Sequence, residues 1–266
     1  MSADQTMPYT TVEYLICQAA RVFEDEKTVF VGYGMPQIAA ILAQRLYAPQ
    51  IIQVYEYGAL GPEVVTPFRR NMMADARNSY RALCWTAMNP IMWQAQVGLI
   101  DYGVLGAAQV DPYGNINSTM IGGTYERPGK RFTGSGGGNE VASLCWRTVL
   151  LMNHQKRRFL EKIDYITSPG YLDGTPNARA EAGLPRGGGP YRVITSMGVF
   201  DFPEETHRMR LIAVAPGVSE QDVLDNMEFK PDVADSVERL DHPRPDELRL
   251  LREEIDPDRV VIGRTS

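Results

Sequence analysis

Ile51-Ile52-Gln53-Val54-Tyr55-Glu56-Tyr57-Gly58 is the stretch whose reading decides the fold. A short apolar run closed by a turn signal predicts a buried strand. The residue that leaves it, Glu56, is a carboxylate at a strand's carboxyl end, where open α/β sheets place their chemistry. Upstream, Thr28-Val29-Phe30-Val31-Gly32 is a second short apolar run. Between the two, Gly34-Met35-Pro36 leads into a helical stretch through Leu46, with Pro36 suited to a first turn. Before both runs, Thr10-x-x-Glu13 matches a capping box, and Val12, Leu15, Ile16, Ala19, Ala20 and Phe23 follow at helical spacing. Helix, strand, helix, strand is the order of a parallel sheet, so the fold class is α/β.

Downstream, Tyr102-Gly103-Val104-Leu105, Thr148-Val149-Leu150-Leu151-Met152 and Ile163-Asp164-Tyr165-Ile166-Thr167 read as further buried strands. Arg192 to Thr195 and Gly198 to Phe202, joined at Ser196-Met197, read as a hairpin. After the apolar run from Arg210 to Ala215, Ser219 is an N-cap for a helix reaching Met227. Pro245 to Ile255 reads as a charged, Leu-bearing helix. The stretch from Ala59 to Tyr80 is irregular, with Pro62, Pro67, Arg69-Arg70 and Met72-Met73; it either shapes a pocket next to Glu56 or packs on a partner. The turn-rich stretch from Tyr171 to Pro190 is expected outside the sheet. With no linker and no internal repeat, 266 residues are read as one domain, 1–266.

The chain carries 27 basic and 33 acidic residues, a net charge of −6, with no basic stripe, which argues against a nucleic-acid surface. It has no apolar stretch of the ~20 residues a membrane span needs. Met1-Ser2-Ala3-Asp4-Gln5 lacks the basic and apolar regions of a signal peptide, so a cytoplasmic protein is expected. Cys17, Cys84 and Cys145 are far apart in apolar surroundings and read as reduced core residues. His154, His207 and His242 have no ligand spacing, so no metal site is proposed. Gly32-Tyr33-Gly34, with Gln37 where a third glycine would stand, fails the dinucleotide fingerprint. No phosphate-binding Gly-Lys-Ser/Thr and no Gly-x-Ser-x-Gly nucleophile elbow occurs.

What remains is Glu56 together with Thr133-Gly134-Ser135-Gly136-Gly137-Gly138-Asn139, a loop rich in backbone N–H groups with few side chains in the way. A nucleophilic carboxylate plus an oxyanion cradle describes acyl transfer through an enzyme-bound anhydride or thioester. By spacing alone, Glu56 is one carboxylate among many, and the glycine loop by itself is a mobile connector more often than an oxyanion hole. His154 with Lys156-Arg157-Arg158 reads as a solvated turn after a strand, with phosphate contact as the alternative.

Ordered blocks from Val12 to Pro257 give the chain a specific resemblance. They include Val31-Gly32-Tyr33-Gly34-Met35-Pro36, Gly106-Ala107-Ala108-Gln109-Val110-Asp111-Pro112-Tyr113-Gly114-Asn115-Ile116-Asn117-Ser118-Thr119, Arg131-Phe132-Thr133-Gly134-Ser135-Gly136-Gly137, Lys156-Arg157-Arg158-Phe159 and Arg252-Glu253-Glu254-Ile255-Asp256-Pro257. The chain resembles the β subunits of class I CoA-transferases of the glutaconate and 3-oxoadipate type. The resemblance implies a three-layer α/β/α sandwich with a largely parallel sheet, shared with some sugar-phosphate isomerases. It also implies a homologous α subunit as partner, coenzyme A as a substrate and no permanently bound cofactor. Glu56 falls on the family's nucleophilic glutamate, and Gly136, Gly137 and Gly138 on its oxyanion loop. Tyr57, Asn115 and Asn117 are substrate-orienting candidates. The family usually has Glu-Ser-Gly where this chain has Glu56-Tyr57-Gly58, which puts a bulky phenol beside the carboxylate. Relatives on the scaffold that hydrolyse CoA-linked rings or decarboxylate glutaconyl-type esters supply one alternative, and a non-catalytic ligand-sensing subunit supplies another.

Overall fold

A computed structural model of the chain describes residues 7–69 and 73–263. Arg70 and Met72, together with Met1-Ser2-Ala3-Asp4-Gln5, lie outside the described residues. The chain folds into two compact units, one built from residues 1–93 and 241–266 and the other from residues 94–240.

The first unit begins with α1 (Thr11–Ala20), β1 (Thr28–Val31), α2 (Met35–Leu46) and β2 (Ile52–Tyr55), the series expected. The capping box is present: the Thr10 hydroxyl accepts the Glu13 N–H, and the Glu13 carboxylate accepts that of Thr10. Pro36 sits in the first turn of α2, where its missing N–H has no bond to lose. β1 and β2 pair in parallel, Thr28 opposite Ile52 through Val31 opposite Tyr55. Two short antiparallel strands follow, β3 (Ala59–Leu60) beside β2 and β4 (Cys84–Trp85) beside β3. Helix α3 (Met88–Gln96) then carries the chain out of this unit. Residues beyond Asp241 return to it as a helix, Pro245–Arg249, which loosens into a π turn, Leu250–Ile255. Two buried carboxylates fasten this return. Glu13 holds Arg252 at 2.6 Å, while Glu247 holds Arg21 at 2.6 Å and the Tyr47 hydroxyl.

The second unit contains β5 (Tyr102–Leu105), β6 (Gln109–Val110), β7 (Ile116–Asn117), β8 (Met120–Gly123), β9 (Pro128–Arg131), α4 (Gly138–Leu144) and β10 (Arg147–Met152). It continues through α5 (Ala178–Glu181), β11 (Gly189–Thr195), β12 (Gly198–Asp201), β13 (Arg210–Val214), α6 (Glu220–Asp225) and β14 (Asp232–Arg239). Its main sheet runs in the order β14-β13-β12-β11-β10-β5. β10 is parallel to both β5 and β11, β12 pairs antiparallel on each side, and β14 is parallel to β13. The expected hairpin at Ser196-Met197 and the N-cap at Ser219 are both present. One face of this sheet buries Leu150, Met152, Val193, Phe200, Leu211 and Phe229 with His154. At ~1.5–3 kcal/mol for each large apolar side chain removed from water, that cluster is the unit's main cohesive term.

Three expectations are corrected here. Ile163 to Thr167 is not a strand: Tyr165 and Ile166 are exposed, and the amides of Thr167 and Ser168 both converge on the Ile116 carbonyl instead of forming a ladder. The turn-rich segment ends inside the sheet, because β11 already starts at Gly189. Cys17 and Cys145 are buried free thiols, but Cys84 is exposed on β4.

Candidate active site

In the first unit, β2 delivers Glu56 into a tight turn. The Gly58 N–H donates to the Tyr55 carbonyl at 2.9 Å, so Glu56 and Tyr57 are the turn's two central residues, and Tyr55 pairs with Ala59 across it. Gly58 has φ +117°, and a Cβ there would run into the Thr86 carbonyl, whose own residue donates its N–H to Gly58 at 2.9 Å. Only glycine combines that conformation with that approach. The turn stands on a buried polar row: Tyr55 Oη donates to Gln53 at 2.9 Å, Gln53 to Gln44 at 3.2 Å, and Gln37 to Asn78 at 3.0 Å.

Glu56 itself is half-buried and has no hydrogen bond or ion pair with any described residue. The contrast with Glu13 and Glu247, each saturated by an arginine and a backbone amide, is chemical. A carboxylate on a backbone fixed by the turn, and engaged by no described residue, keeps its lone pairs for an incoming electrophile. Tyr57 is 50% exposed and, with Tyr55, Ala59, Asp75, Asn78 and Trp85, borders a cleft of about 190 Å³.

In the second unit, the glycine loop continues from β9 and is pinned at its start. Phe132 N–H donates to Thr119 O at 2.9 Å, Gly134 N–H to Ser118 O at 3.1 Å, and Ser118 Oγ back to Gly134 O at 3.3 Å. Gly134 and Gly136 have φ +89° and +50°. The loop then tightens into α4: Gly138 N–H donates to Ser135 O at 2.8 Å and Asn139 N–H to Ser135 Oγ at 3.0 Å. The expectation of three donating amides is therefore narrowed. Gly138's is engaged, whereas those of Gly136 and Gly137 donate to no described residue.

Asn115 and Asn117 are fully buried and satisfied by the chain itself. The Asn115 amide donates to Asp111 and to Leu172 O, both at 2.7 Å, and its carbonyl accepts from Gly170 and Leu172. Asn117 donates to Gln109 and Met120 O and accepts from Thr119 and Met120. Any effect of theirs on a substrate passes through the backbone they hold, which includes Ser118, the partner of Gly134. Thr167 joins the same frame, its hydroxyl accepting from Ser118 N–H at 2.9 Å. The sequence reading missed Ser118 and Thr167; the clue was the run of turn-forming polar residues from Asn115 to Thr119.

His154 overturns both of its readings. It is buried, with Nε2 donating to the Val223 carbonyl at 3.2 Å, Nδ1 facing the Thr195 hydroxyl at 3.1 Å and the ring stacked on Phe159. Burial pushes its pKa down to about 4. Burial also raises Asp111 to about 6, although Asn115 bonds both of its oxygens. Among the described residues, no group of three His, Cys, Asp or Glu side chains could hold a metal ion, and no helix is long and apolar enough to cross a membrane.

Comparison with known proteins gives concordant matches. The family described as Coenzyme A transferase matches residues 12–226. The B subunit of glutaconate CoA-transferase from Acidaminococcus fermentans is 40% identical over 259 residues, 96% of this chain and 95% of that protein. The B subunit of 3-oxoadipate CoA-transferase from Pseudomonas knackmussii is 33% identical over 246 residues, 92% of each chain. The crystal structure of glutaconate coenzyme A-transferase from A. fermentans superposes with a TM-score of 0.90 at 37% identity, covering 98% of this chain and all of that one. The α/β architecture expected from the strand ending at Glu56 is that of this solved relative.

Proposed function

Because the chain belongs to the coenzyme A transferase family, we propose that it is the β subunit of an enzyme that moves CoA between an acyl-CoA and a carboxylic acid, with Glu56 as nucleophile. The observation that carries this is the Glu56 carboxylate, which no described residue engages, at the tip of a turn that Gly58 makes possible.

The Glu56 carboxylate attacks the thioester carbonyl and expels CoA thiolate, leaving a mixed acyl-glutamyl anhydride. The thiolate attacks the glutamyl carbonyl of that anhydride, releasing the first carboxylate and forming a thioester between Glu56 and CoA. The second acid's carboxylate attacks this thioester, expelling thiolate and forming a new anhydride. The thiolate then takes the new acyl group and frees Glu56. Each addition places negative charge on a carbonyl oxygen, and the amides of Gly136 and Gly137 serve as its donors. Losing such a donor typically costs about 3 kcal/mol of transition-state stabilisation. The acyl groups are of the dicarboxylate or ring-degradation kind, and Tyr57 sets the wall beside the carboxylate. Coenzyme A enters as a substrate, not a resident cofactor, and the reaction belongs in the cytoplasm.

A homologous α subunit completes the enzyme. β4 ends the row of strands in the first unit, and the exposed apolar groups Leu83, Trp85 and Trp93 give a partner the surface that interfaces favour.

Incubation with an acyl-CoA and no acceptor acid tests the proposal. CoA is expected on Glu56, found by peptide mass mapping, and borohydride reduces that thioester to an alcohol with loss of activity. Glu56→Gln abolishes both. Substrate consumption by active enzyme with Glu56 never modified would replace transfer by hydrolysis or bond cleavage with Glu56 as a general base.

A further inference from the structure

Arg179 stands on α5, within the turn-rich stretch that begins at Tyr171, yet its side chain is buried, at 7% exposure. Arg21 and Arg252 meet buried carboxylates, whereas Arg179 pairs with no acid among the described residues. All of its hydrogen bonds go to backbone carbonyls. Nη1 donates to Gly170 O at 2.8 Å, and Nη2 to Ala142 O at 3.4 Å and Ser143 O at 3.2 Å, while Nε has no partner among the described residues. Burial lowers its pKa. A buried cation without an acid is a poor source of stability, because desolvating the charge offsets much of what its bonds return. What it does supply is geometry: three carbonyls from two separate segments are tied to one planar group.

Both segments support the glycine loop. Ala142 and Ser143 lie in the last turn of α4, where carbonyls lack partners inside the helix and a cation is favoured. α4 has seven residues, a rod of about 10 Å whose other end is capped by Gly137. From Ser143 a chain of bonds returns to the loop: Ser143 Oγ donates to Asn139 Oδ1 at 3.1 Å, and Asn139 Nδ2 to Thr167 O at 3.3 Å. The Thr167 hydroxyl accepts the Ser118 N–H, and Ser118 Oγ donates to Gly134 O. Gly170, the other segment, donates its N–H to Asn115 Oδ1 at 2.8 Å, and a Cβ on it would run into the Tyr113 carbonyl. It is thus packed on the turn that leads to Ser118. Resting on the reading that the Gly136 and Gly137 amides serve the oxyanion, we infer that Arg179 is a positioning residue for the reaction. Its guanidinium clamps the end of α4 to the Gly170 segment and so holds those amides where negative charge develops.

Two variants test the clamp in the full chain co-purified with its partner, well below their unfolding midpoints. Arg179→Gln removes the guanidinium. Ser143→Ala breaks the bond to Asn139 and leaves the acceptors of Arg179, all backbone oxygens, in place. Small misplacements of catalytic groups cost large factors in rate, so kcat is expected to fall about tenfold in Arg179→Gln and about threefold in Ser143→Ala, with KM for the acyl-CoA within about twofold of wild type. Labelling of Glu56 by acyl-CoA is expected to slow by the same factors and still reach the wild-type extent, since every folded chain reacts, only more slowly. An arginine that merely holds the fold together gives the opposite pattern: a lower midpoint and a smaller labelled fraction that reacts at the wild-type rate. That pattern overturns the inference. Should Arg179→Gln fail to fold, Ser143→Ala decides by the same criterion. Glu56 labelling at the wild-type rate in both variants rejects the clamp and keeps the transfer chemistry. Wild-type enzyme that consumes acyl-CoA with Glu56 never modified, while kcat still falls in Arg179→Gln, rejects the transfer chemistry and keeps the clamp.

Discussion

Gly58 controls where the Glu56 carboxylate stands. At φ +117° with the Thr86 carbonyl in the space of a Cβ, Gly58→Ala must either open the turn or push β4 away. The expected loss is about 1–3 kcal/mol of stability, with Glu56 labelling falling more than the thermal midpoint alone explains. An alanine variant with wild-type midpoint and labelling would show that the turn does not position the nucleophile. Gly136 differs: it has positive φ, but a Cβ there meets nothing within 4 Å, so its substitution strains only its own backbone. Such distinctions are not legible in a sequence. Glu56 stood out through the strand that precedes it and through family likeness. That no described residue engages it is a property of what the fold leaves away from it.

At the scale of elements, the sequence was most readable where a local device sets the structure, as with Thr10 and Glu13 at α1, Pro36 in α2 and Ser219 at α6. It misled at Ile163 to Thr167, where an apolar-looking run with a strand's period is held by bonds to Ile116 and Ser118, residues far away in the chain. His154 was misread for the same reason, since its neighbours come from β11 and α6. The folded ring stays neutral down to about pH 4, whereas an unfolded chain protonates it near pH 6.5. Unfolding therefore takes up a proton between those values. The histidine's contribution is full above pH 6.5 and falls by about 3 kcal/mol as pH drops toward 4. Asp111 acts in the opposite direction: its carboxyl is raised to about 6, so its term is present in acid and lost as pH rises through that value. The two slopes offset in wild type. The stability difference between wild type and His154→Gln isolates one of them, and in urea titrations it is expected to shrink from pH 7 to pH 4.5. A difference that stays constant would mean that the folded ring takes up its proton at the same pH as the unfolded one.

At the scale of the whole chain, the closing residues are structural. Arg252 is legible in the sequence as part of a family-like block, yet its spacing gives no sign that its partner is Glu13, 239 positions earlier. Arg252 Nε and Nη2 both reach the Glu13 carboxylate, at 2.6 and 2.9 Å, and Nη2 also donates to Pro8 O. Glu13 is fully buried; burial alone would raise its pKa, but Arg252 and the Thr10 N–H outweigh that and hold the carboxyl below its ordinary range. Four residues on, Asp256 is fully buried and accepts the amides of Val260, Val261 and Ile262. Arg252→Ala leaves Glu13 as an unpaired buried charge and is expected to destabilise by about 3–5 kcal/mol. Glu13→Gln/Arg252→Met removes the charge together with its partner and should recover much of that loss, because the desolvation penalty disappears with the ion. The pair also carries a pH signature. Its contribution is present above the ordinary carboxylate range and fades as pH falls through the lowered pKa of Glu13, so the wild-type advantage over the double variant should narrow in acid. A double variant as unstable as Arg252→Ala at every pH would mean that the packing of the arginine stem, not the ion pair, fastens the end of the chain to its beginning.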